Sequence, residues 1–474
     1  AQEGNCCMIM PAGPLLYNQS SHPFKKYLLG QFHAKYIYDF IALRTKLFNG
    51  SGAKPAVVSV VLEKNGDFNQ PTTHFILRRT NASGEKIEFE IDYYDIHHLP
   101  YDLVLNNPQI WQINFFGGGR LHPLMNEISN MRTLGEYVDE QHKNRSWKIA
   151  EGWIESGGNK NIQRIQELSA ILNRDEAEDE ELKKLEEKFK ADWITNHKFV
   201  KTEHFTEAGI SETEVCNSQY FLRRRAKNKK IFQPPHLLIK EQAGEDSIPI
   251  ELREDYLTFK NEIIGIHAPW SDIELLRDIE LRFKDNKYYS ALLWLLSGRI
   301  ITAREGVVLK TDIMTLPYPE TPITWNKIEQ ILLEDVINNY SEFRVKGEES
   351  KLLQNVNTNE LYAYGKIYCD ILNSIYDDFQ PIEPIIGEKF ITCPFVLGEK
   401  PESEIPLTIA DIEKELIKLT AYKGGYNLWI KRVIRVYHQN IIFIYKPIQR
   451  RYWLPSIAVR DADATFLDLF KQGK

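Results

Sequence analysis

The strongest constraint on the fold lies in the first 66 residues, where three apolar stretches suited to β-strands accompany one helical stretch. Residues 5–17, NCCMIMPAGPLLY, predict a strand that ends at a Pro-Ala-Gly-Pro turn, and residues 22–40, HPFKKYLLGQFHAKYIYDF, predict a helix leading into a second strand. Residues 50–64, GSGAKPAVVSVVLEK, predict a buried strand. Together they make a slice of an α/β sheet. Because one helix cannot cover both faces of a parallel sheet, either other segments complete it or the chain is cut from a longer protein.

The rest of the chain alternates β-rich and helical segments. At 474 residues it exceeds what one hydrophobic core usually serves, so we expect two or three domains. Short β-like stretches occupy residues 66–120, and residues 174–193 predict a surface helix with apolar side chains at helical spacing. Residues 272–298 predict one helical stretch that Gly298 ends, and residues 316–322, LPYPETP, predict a linker. Two helices, several strands and a short final helix are expected beyond it.

Several classes of protein are disfavoured by the composition. No apolar run approaches the roughly 18 to 20 residues that a membrane helix needs, and the first residues lack the pattern of a signal peptide. The sequence therefore predicts a cytoplasmic protein with no membrane partner. The five cysteines are odd in number and too scattered for a disulfide framework or a zinc knuckle, so we expect reduced thiols.

Two short motifs could be mistaken for a nucleotide-binding loop and a metal site. Residues 115–121, FFGGGRL, carry three glycines but lack the surrounding βαβ unit of a nucleotide loop, so they predict a hinge. His97 and His98 are adjacent, and their side chains would point to opposite faces of a strand, which favours a structural role over metal binding. We expect neither catalytic residues nor a metal site in this chain.

The feature that most needs an explanation is a basic run at residues 220–230, YFLRRRAKNKK, in a chain whose formal net charge is −7. Its candidate nucleic-acid-binding residues are Arg223, Arg224, Arg225, Lys227, Asn228, Lys229 and Lys230, with Arg120, Lys240, Arg299 and Arg304 as possible neighbours in space. On composition alone the run is a solvated loop or a local site for a polyanion, since an acidic protein does not coat nucleic acid through bulk charge. A mixture of Arg, Lys and Asn suits both phosphates and base edges. Tyr220 and Phe221 beside it are expected in the core.

Residues 8–64, from MIMPAGPLLY to VVSVVLEK, resemble the closing portion of the methylase domain of adenine-N6 DNA methyltransferases of restriction-modification type. A strand ends in a proline, and Phe48 stands shortly before KPAVVSVVLEK, as in that family. Further segments resemble landmarks of the target-recognition region in fused methylase-specificity proteins: MRTLGEYVDE, WKIAEGWIESGG, FQPPHLLIKEQ, LLWLLSGRI and LKTDIMTLPYPE. Residues 444–470 are similar to the end of large uncharacterised members.

The family's catalytic signature is absent from this sequence. Such enzymes hold S-adenosylmethionine on a glycine-rich loop and receive the flipped adenine on an (Asn/Asp/Ser)-Pro-Pro-aromatic motif. The one Pro-Pro pair here, Pro234-Pro235, is flanked by Gln233 and His236 and follows the methylase-like slice, whereas the family's motif precedes it. We expect a rigid turn there. The resemblance implies that S-adenosylmethionine belongs to the full-length protein, through motifs upstream of Ala1 or on another chain, and that this chain binds no cofactor.

The resemblance implies a mixed α/β and α+β chain. Residues 1–66 would be the end slice of a Rossmann-like methylase sheet, residues 67–150 a β-rich connecting segment, residues 151–320 an α+β target-recognition domain, and residues 321–474 a mostly helical C-terminal domain with some α+β elements.

The expected function is DNA target recognition as the C-terminal part of an adenine-N6 methyltransferase in a restriction-modification or phage-defence system. Its partners would be double-stranded DNA and the upstream catalytic methylase half, on the same polypeptide or on a separate chain. Alone, this chain should bind DNA without methylating it. Two alternatives remain open: a stand-alone DNA-specificity subunit, and a scaffold module that binds no nucleic acid and whose basic run faces solvent.

Overall fold

The computed structural model describes residues 4–43, 47, 57–64, 66–83, 86–156, 158–302, 306–399, 421–425 and 428–473. It separates into two compact units. Unit 1 comprises Ala1–Ser129, Trp294–Glu305 and Thr324–Lys474, and unit 2, which is inserted in the sequence of unit 1, comprises Asn130–Leu293 and Gly306–Ile323. Phe48 and Arg304, which the sequence singles out, lie outside the described residues.

The first part of unit 1 is mostly β-structure. Its strands are β1 (Gly4–Pro11), β2 (His33–Asp39), β3 (Val57–Lys64), β4 (Thr72–Ile76), β5 (Arg79–Ser83), β6 (Lys86–Ile91) and β7 (Ile96–Leu99). Its helices are α1 (His22–Gln31), α2 (Tyr101–Asn106), α3 (Ile110–Phe115) and α4 (Leu121–Ser129).

Five of these strands form one sheet, in the order β1-β3-β2-β4-β7. β2 and β4 run parallel, and the other three pairings are antiparallel. The strand, helix, strand and strand that the sequence predicts over residues 4–64 are all present. Val58, Val60 and Leu62 alternate along β3 and are buried, because successive side chains of a strand point to opposite faces. The Rossmann-like character of this slice stays a prediction.

The middle of the chain, residues 130–323, contains short strands and longer helices. Its strands are β8 (Lys148–Glu151), β9 (Ile154–Glu155), β10 (Lys198–Val200), β11 (Phe205–Thr206), β12 (Gly209–Ile210), β13 (Glu214–Val215), β14 (Phe221–Arg223), β15 (His236–Lys240), β16 (Ile250–Arg253), β17 (Thr258–Phe259) and β18 (Ile263–His267). Its helices are α5 (Leu134–Arg145), α6 (Lys160–Ala170), α7 (Glu176–Phe189), α8 (Ile273–Phe283), α9 (Lys287–Leu296), α10 (Gly298–Thr302) and α11 (Lys310–Met314).

The core of unit 2 packs around an antiparallel sheet in the order β16-β15-β18-β8. Aromatic side chains dominate this core, with Trp153, Phe199, Phe221, Phe232 and Phe259 all buried. The surface helix predicted from residues 174–193 is confirmed as α7. The helix begins at a capping box: the side chain of Asp175 accepts from the backbone N–H of Glu178, and the side chain of Glu178 accepts from the backbone N–H of Asp175.

Two expectations about the middle of the chain need correction. The stretch 272–298 is two helices and not one, because Asp285 adopts a left-handed φ of 54° between α8 and α9. Gly298 does not end a helix but begins α10. A Cβ there would lie 1.9 Å from the carbonyl oxygen of Tyr17, so close backbone approach explains the glycine. The segment 316–322 is not a free linker, since Leu316 and Tyr318 are buried.

The last part of the chain returns to unit 1. Its helices are α12 (Lys327–Asp335), α13 (Glu342–Lys346), α14 (Thr358–Leu372) and α15 (Pro455–Lys471). Its strands are β19 (Phe379–Pro381), β20 (Ile385–Ile386), β21 (Phe390–Leu397), β22 (Ala421–Gly425), β23 (Leu428–Lys431), β24 (Ile434–His438) and β25 (Ile441–Pro447). The final helix is 17 residues long, so the expectation of a short one was wrong.

Buried ion pairs connect this last part to the first part of unit 1. Arg451 pairs with Asp92 and Asp95 at 2.5 Å each, and all three side chains are at most 4% exposed. Lys446 pairs with Asp461 in the same core. Residues 451–463 therefore contribute to the core of unit 1. Within the described ranges, none of the helices combines the length and the hydropathy that crossing a bilayer requires.

Candidate nucleic-acid interface

The basic run lies in unit 2 on a strand, a tight turn and a short helix. β14 pairs with β9 and ends at Arg223. Arg225 then adopts a left-handed φ of 56°, which turns the backbone into a 3₁₀ helix over Ala226–Phe232. A Pro-Pro turn with a cis bond between Pro234 and Pro235 leads into β15. The run is thus a folded turn.

Apolar residues at both ends of the run hold it in the core of unit 2. Phe221, Ile231 and Phe232 are each fully buried in the aromatic core. The expectation that Tyr220 and Phe221 are core residues is confirmed for Phe221, whereas Tyr220 is partly buried and packs on the cluster formed by α6 and α7. Burial of these ends fixes the position of the cations between them.

The three arginines bind partners within unit 2. Arg223 and Arg225 both donate to Oε2 of Glu151, at 2.7 and 2.8 Å. Arg225 also donates to the carbonyl oxygen of Gly152 at 3.1 Å, and burial lowers the pKa of its guanidinium. Arg224 donates to the carbonyl oxygen of Lys190 at 2.8 Å. These guanidinium groups therefore stabilise the turn.

Trp193 connects the run to the residues that follow α7. Its indole N–H donates to the carbonyl oxygen of Arg224 at 2.8 Å. The guanidinium of Arg224 and the ammonium of Lys229 lie 5.5 and 5.6 Å from the centroid of the indole ring. Cation–π attraction of this kind orients both side chains against one aromatic surface.

The lysines differ from the arginines. Lys227, Lys229 and Lys230 are exposed, and none of them pairs with a carboxylate among the described residues. Asn228 lies between them and is half-buried. The run therefore has an anchored arginine half and a solvent-facing lysine half. In the arginine half, two of the three guanidinium groups share the carboxylate of Glu151, whereas the ammonium groups of the lysine half face solvent without a carboxylate partner among the described residues.

The outlying candidates lie on other elements, and two of them belong to unit 1. Lys240, in unit 2, donates to the carbonyl oxygen of Phe205 at 2.9 Å, and burial lowers its pKa. Arg120, in unit 1, makes a two-pronged pair with Asp463, its Nε lying 2.9 and 3.1 Å from the two carboxylate oxygens. Arg299 is exposed on α10, also in unit 1. The assignment of these residues to DNA stays a prediction.

A second candidate site, which the sequence did not indicate, is a row of buried polar groups in unit 1. The hydroxyl of Tyr17 donates to Asp39, and Asp39 lies 3.7 Å from Nε2 of His74. Nδ1 of His74 is 3.3 Å from the amide nitrogen of Asn114, whose oxygen is 2.8 Å from Nε2 of His122. Four of these side chains are at most 2% exposed, and His122 is partly buried.

The three glycines of FFGGGRL form the turn between α3 and α4 beside this row. Gly117, Gly118 and Gly119 have φ values of 121°, 64° and 59°, which favour glycine. A Cβ on Gly118 would lie 2.8 Å from Cε1 of His97, so the turn packs directly on that ring. The predicted hinge is therefore a tight turn, and its mobility stays a prediction. His97 is buried and His98 is exposed, as the adjacent spacing predicts.

His74 and His122 were missed because they are far apart in sequence, whereas His97 was assigned a structural role. His74 is on β4, His97 on the neighbouring β7, and His122 at the start of α4. Burial lowers the pKa of His122 to about 4, with a further contribution from Arg460, and the same two causes hold the pKa of His97 well below its usual range. Among the described residues, no group of three or more His, Cys, Asp or Glu side chains is placed to hold a metal ion.

Comparisons with known proteins give little further guidance. No family model matches the chain, and no curated protein does. Among solved structures, the chain is similar to the type IIG restriction endonuclease BpuSI, with 13% identity, a TM-score of 0.21, and coverage of 76% of this chain and 44% of that one. It is also similar to the type IIL restriction-modification enzyme MmeI in complex with DNA, with 12% identity, a TM-score of 0.28, and coverage of 72% and 44%. The chain thus spans less than half the length of both, and similarity at this level carries no argument about function.

Proposed function

We propose that this chain is the target-recognition part of an adenine-N6 DNA methyltransferase of restriction-modification type, and that Lys227, Lys229 and Lys230 bind the phosphates of double-stranded DNA. The observation that carries the second half of this proposal is the exposure of three ammonium groups on one short helical turn, unpaired with carboxylates of the described residues. In a chain of net charge −7, such local positive charge is what binding to a polyanion requires.

The arginine half of the run has a different role in this proposal. Arg223 and Arg225 share the carboxylate of Glu151, and Arg224 holds the chain after α7. They position the lysine turn, whereas the lysines contact phosphate. Asn228, in the middle of the turn, is the candidate for reading a base edge, since an Asn side chain can make a two-pronged contact with adenine.

The chemical step is assigned to residues outside this chain. The sequence contains neither a glycine-rich loop after a first strand nor an (Asn/Asp/Ser)-Pro-Pro-aromatic motif. We therefore propose that S-adenosylmethionine and the flipped adenine bind to a catalytic half, and that this chain alone binds DNA without transferring a methyl group. This part of the proposal rests on the sequence resemblance.

The test is DNA binding measured by fluorescence anisotropy from 50 to 200 mM salt, for the wild-type chain and for a variant with Lys227→Gln, Lys229→Gln and Lys230→Gln. Each phosphate contact contributes about 0.9 to the slope of log K against log salt, so losing three contacts should reduce the slope by about 2.7. The matched control carries Lys183→Gln, Lys184→Gln and Lys188→Gln on α7, which removes the same charge from the same unit.

The outcomes separate the proposed function from its rivals. Weaker binding in the first variant with wild-type binding in the control supports the lysine turn as the interface. Equal binding by all three proteins would show that the turn faces solvent and does not contact DNA, and an absence of binding by the wild-type chain would favour the scaffold module. In a separate experiment, the wild-type chain is mixed with a pool of duplexes and the bound fraction is sequenced. Target recognition predicts that one site is enriched in the bound fraction, and a bound fraction with the same sequences as the starting pool would contradict it.

A further inference from the structure

A cavity in unit 1 lies beside the row of buried polar groups. This cavity is open to solvent on one side and has a volume of about 530 Å³, within the usual range of about 300 to 1,000 Å³ for small-molecule sites. Apolar side chains form most of its wall: Ile96, Leu99, Pro100, Leu103 and Ile110. Such walls suit a ring or a branched hydrocarbon group, because the transfer of an apolar group from water into an apolar site is favourable.

The polar groups of the cavity are few and fixed in place. With the Asn114 amide oriented as found, its nitrogen donates to Nδ1 of His74 and its oxygen accepts from Nε2 of His122. The proton on His74 is then on Nε2, facing Asp39, and Nδ1 of His122 is left as an acceptor. The row of buried polar groups therefore presents one oriented imidazole, that of His122, at the cavity.

His97 supplies the observation that points to a ligand. It lines the cavity and is 6% exposed, yet its Nε2 is buried without a hydrogen-bond partner among the described residues. A buried nitrogen in this state costs free energy unless another molecule pairs with it. The packing of its other ring edge against Gly118 holds the imidazole in this position.

The charge of the cavity indicates the kind of ligand. Arg460 lines it, and no carboxylate does among the described lining residues. Its Nη1 donates to the carbonyl oxygens of Tyr94 and Gly117, at 2.9 and 3.3 Å, and its guanidinium lies 5.3 Å from the centroid of the Tyr94 ring. The guanidinium is therefore held rigidly, and a guanidinium so placed binds carboxylate or phosphate well.

We propose that this cavity binds a small organic anion, with its carboxylate or phosphate group at Arg460, its ring between the apolar walls, and a polar ring atom paired with His97. This site is independent of the lysine turn that we propose for DNA, and it lies entirely within unit 1.

The test is isothermal titration of the full chain with two anionic probes and their uncharged counterparts. Uridine 5′-monophosphate is paired with uridine, and benzoate is paired with benzamide, while inorganic phosphate tests an anion without a ring. The variants are Arg460→Gln and His97→Phe, the second of which keeps a ring but removes both nitrogens. Lys471→Gln, which removes an exposed cation from the same helix, is the control.

We expect at least one anion to bind the wild type with a Kd below about 1 mM and its uncharged counterpart to bind at least tenfold more weakly. Arg460→Gln and His97→Phe should each weaken binding at least tenfold, and Lys471→Gln should not change it. The triple lysine variant of the DNA test should also bind normally, which separates the two proposals.

The proposal is overturned if neither anion binds, if the uncharged probes bind equally well, or if binding survives in both cavity variants. Thermal unfolding of each variant shows whether it folds. If Arg460→Gln does not fold, the comparison rests on His97→Phe, whose ring fills the same space.

Discussion

Removal of the carboxylate of Asp461 should destabilise unit 1 in a way that depends on pH. Lys446 and Asp461 form an ion pair whose side chains are 0% and 1% exposed. Lys446 also donates to the hydroxyl of Tyr364 and the carbonyl oxygen of Tyr452, at 2.9 Å each. Burial already lowers the pKa of Lys446 to about 8, and Asp461 is the nearest group that opposes this fall. In Asp461→Asn the ammonium loses its counter-charge and should lose its proton below pH 7.

The magnitude follows from linkage. Losing one partner of a buried pair costs about 3 to 5 kcal/mol. With Lys446 neutral when folded and charged when unfolded, the unfolded state binds one more proton. Stability should then rise by about 1.4 kcal/mol per pH unit from pH 7 towards the unfolded pKa near 10. In the wild type, the same rise should begin only above about pH 8.

The assay is urea unfolding followed by tryptophan fluorescence at pH 7, 8 and 9. Lys446→Met is the control, since it removes the titrating group and should abolish this part of the slope. Lys446→Met combined with Asp461→Asn should be more stable at pH 7 than Asp461→Asn alone, because no unpaired charge remains. The reasoning is refuted if Asp461→Asn shows no additional rise with pH, or if the double variant is no more stable than it.

Two further predictions concern other parts of the core. Gly152→Ala should destabilise unit 2 by more than about 3 kcal/mol, because the added Cβ would lie 2.0 Å from the carbonyl oxygen of Phe259. Gly30→Ala is the control: Gly30 lies in open space on α1, and the change should stabilise unit 1 by up to about 1 kcal/mol. Similar unfolding midpoints for the two variants would contradict this prediction. Burial raises the pKa of Asp335 to about 6, so the folded state holds a proton that the unfolded state releases, and stability should fall by up to about 3 kcal/mol as pH rises from 4 to 6. Asp335→Asn cannot titrate, and unfolding curves that keep this pH dependence in the variant would assign it to another group.

Local order in the sequence predicted much of the secondary structure. The helical spacing of apolar side chains in residues 174–193 predicted α7, and the β-branched run of residues 57–64 predicted β3. The break at Asp285 was missed although Asp285-Asn286 is a local signal, since Asp and Asn adopt left-handed φ more readily than most residues and the side chain of Asn286 accepts from the backbone N–H of Tyr288. The use of Gly298 was missed because its neighbour Tyr17 is far away in sequence.

The candidate sites, like the fold, could be predicted only where the signal is local in the sequence. Composition found the basic run, but could not show that two of its arginines share Glu151 while its lysines stay exposed, because that partner lies on a strand some 70 residues earlier. The histidine row could not be predicted either. His74 and His97 meet through strand register, and His122 joins them only because the glycine turn folds α4 back.

The pairing of Arg451 with Asp95 spans 356 residues, and all of unit 2 lies between them in the sequence. During synthesis, the early strands of unit 1 must therefore wait for Arg451 until residues 441–463 emerge from the ribosome, with Asp95 paired only to Arg78 and Asp92 to Arg79. Unit 2 is complete by then and can fold first. Contacts between residues so far apart in the sequence form slowly, and until they form, the incomplete sheets of unit 1 can pair with other chains. We therefore expect chaperone dependence to be concentrated in unit 1 and to be relieved only when its last segment docks.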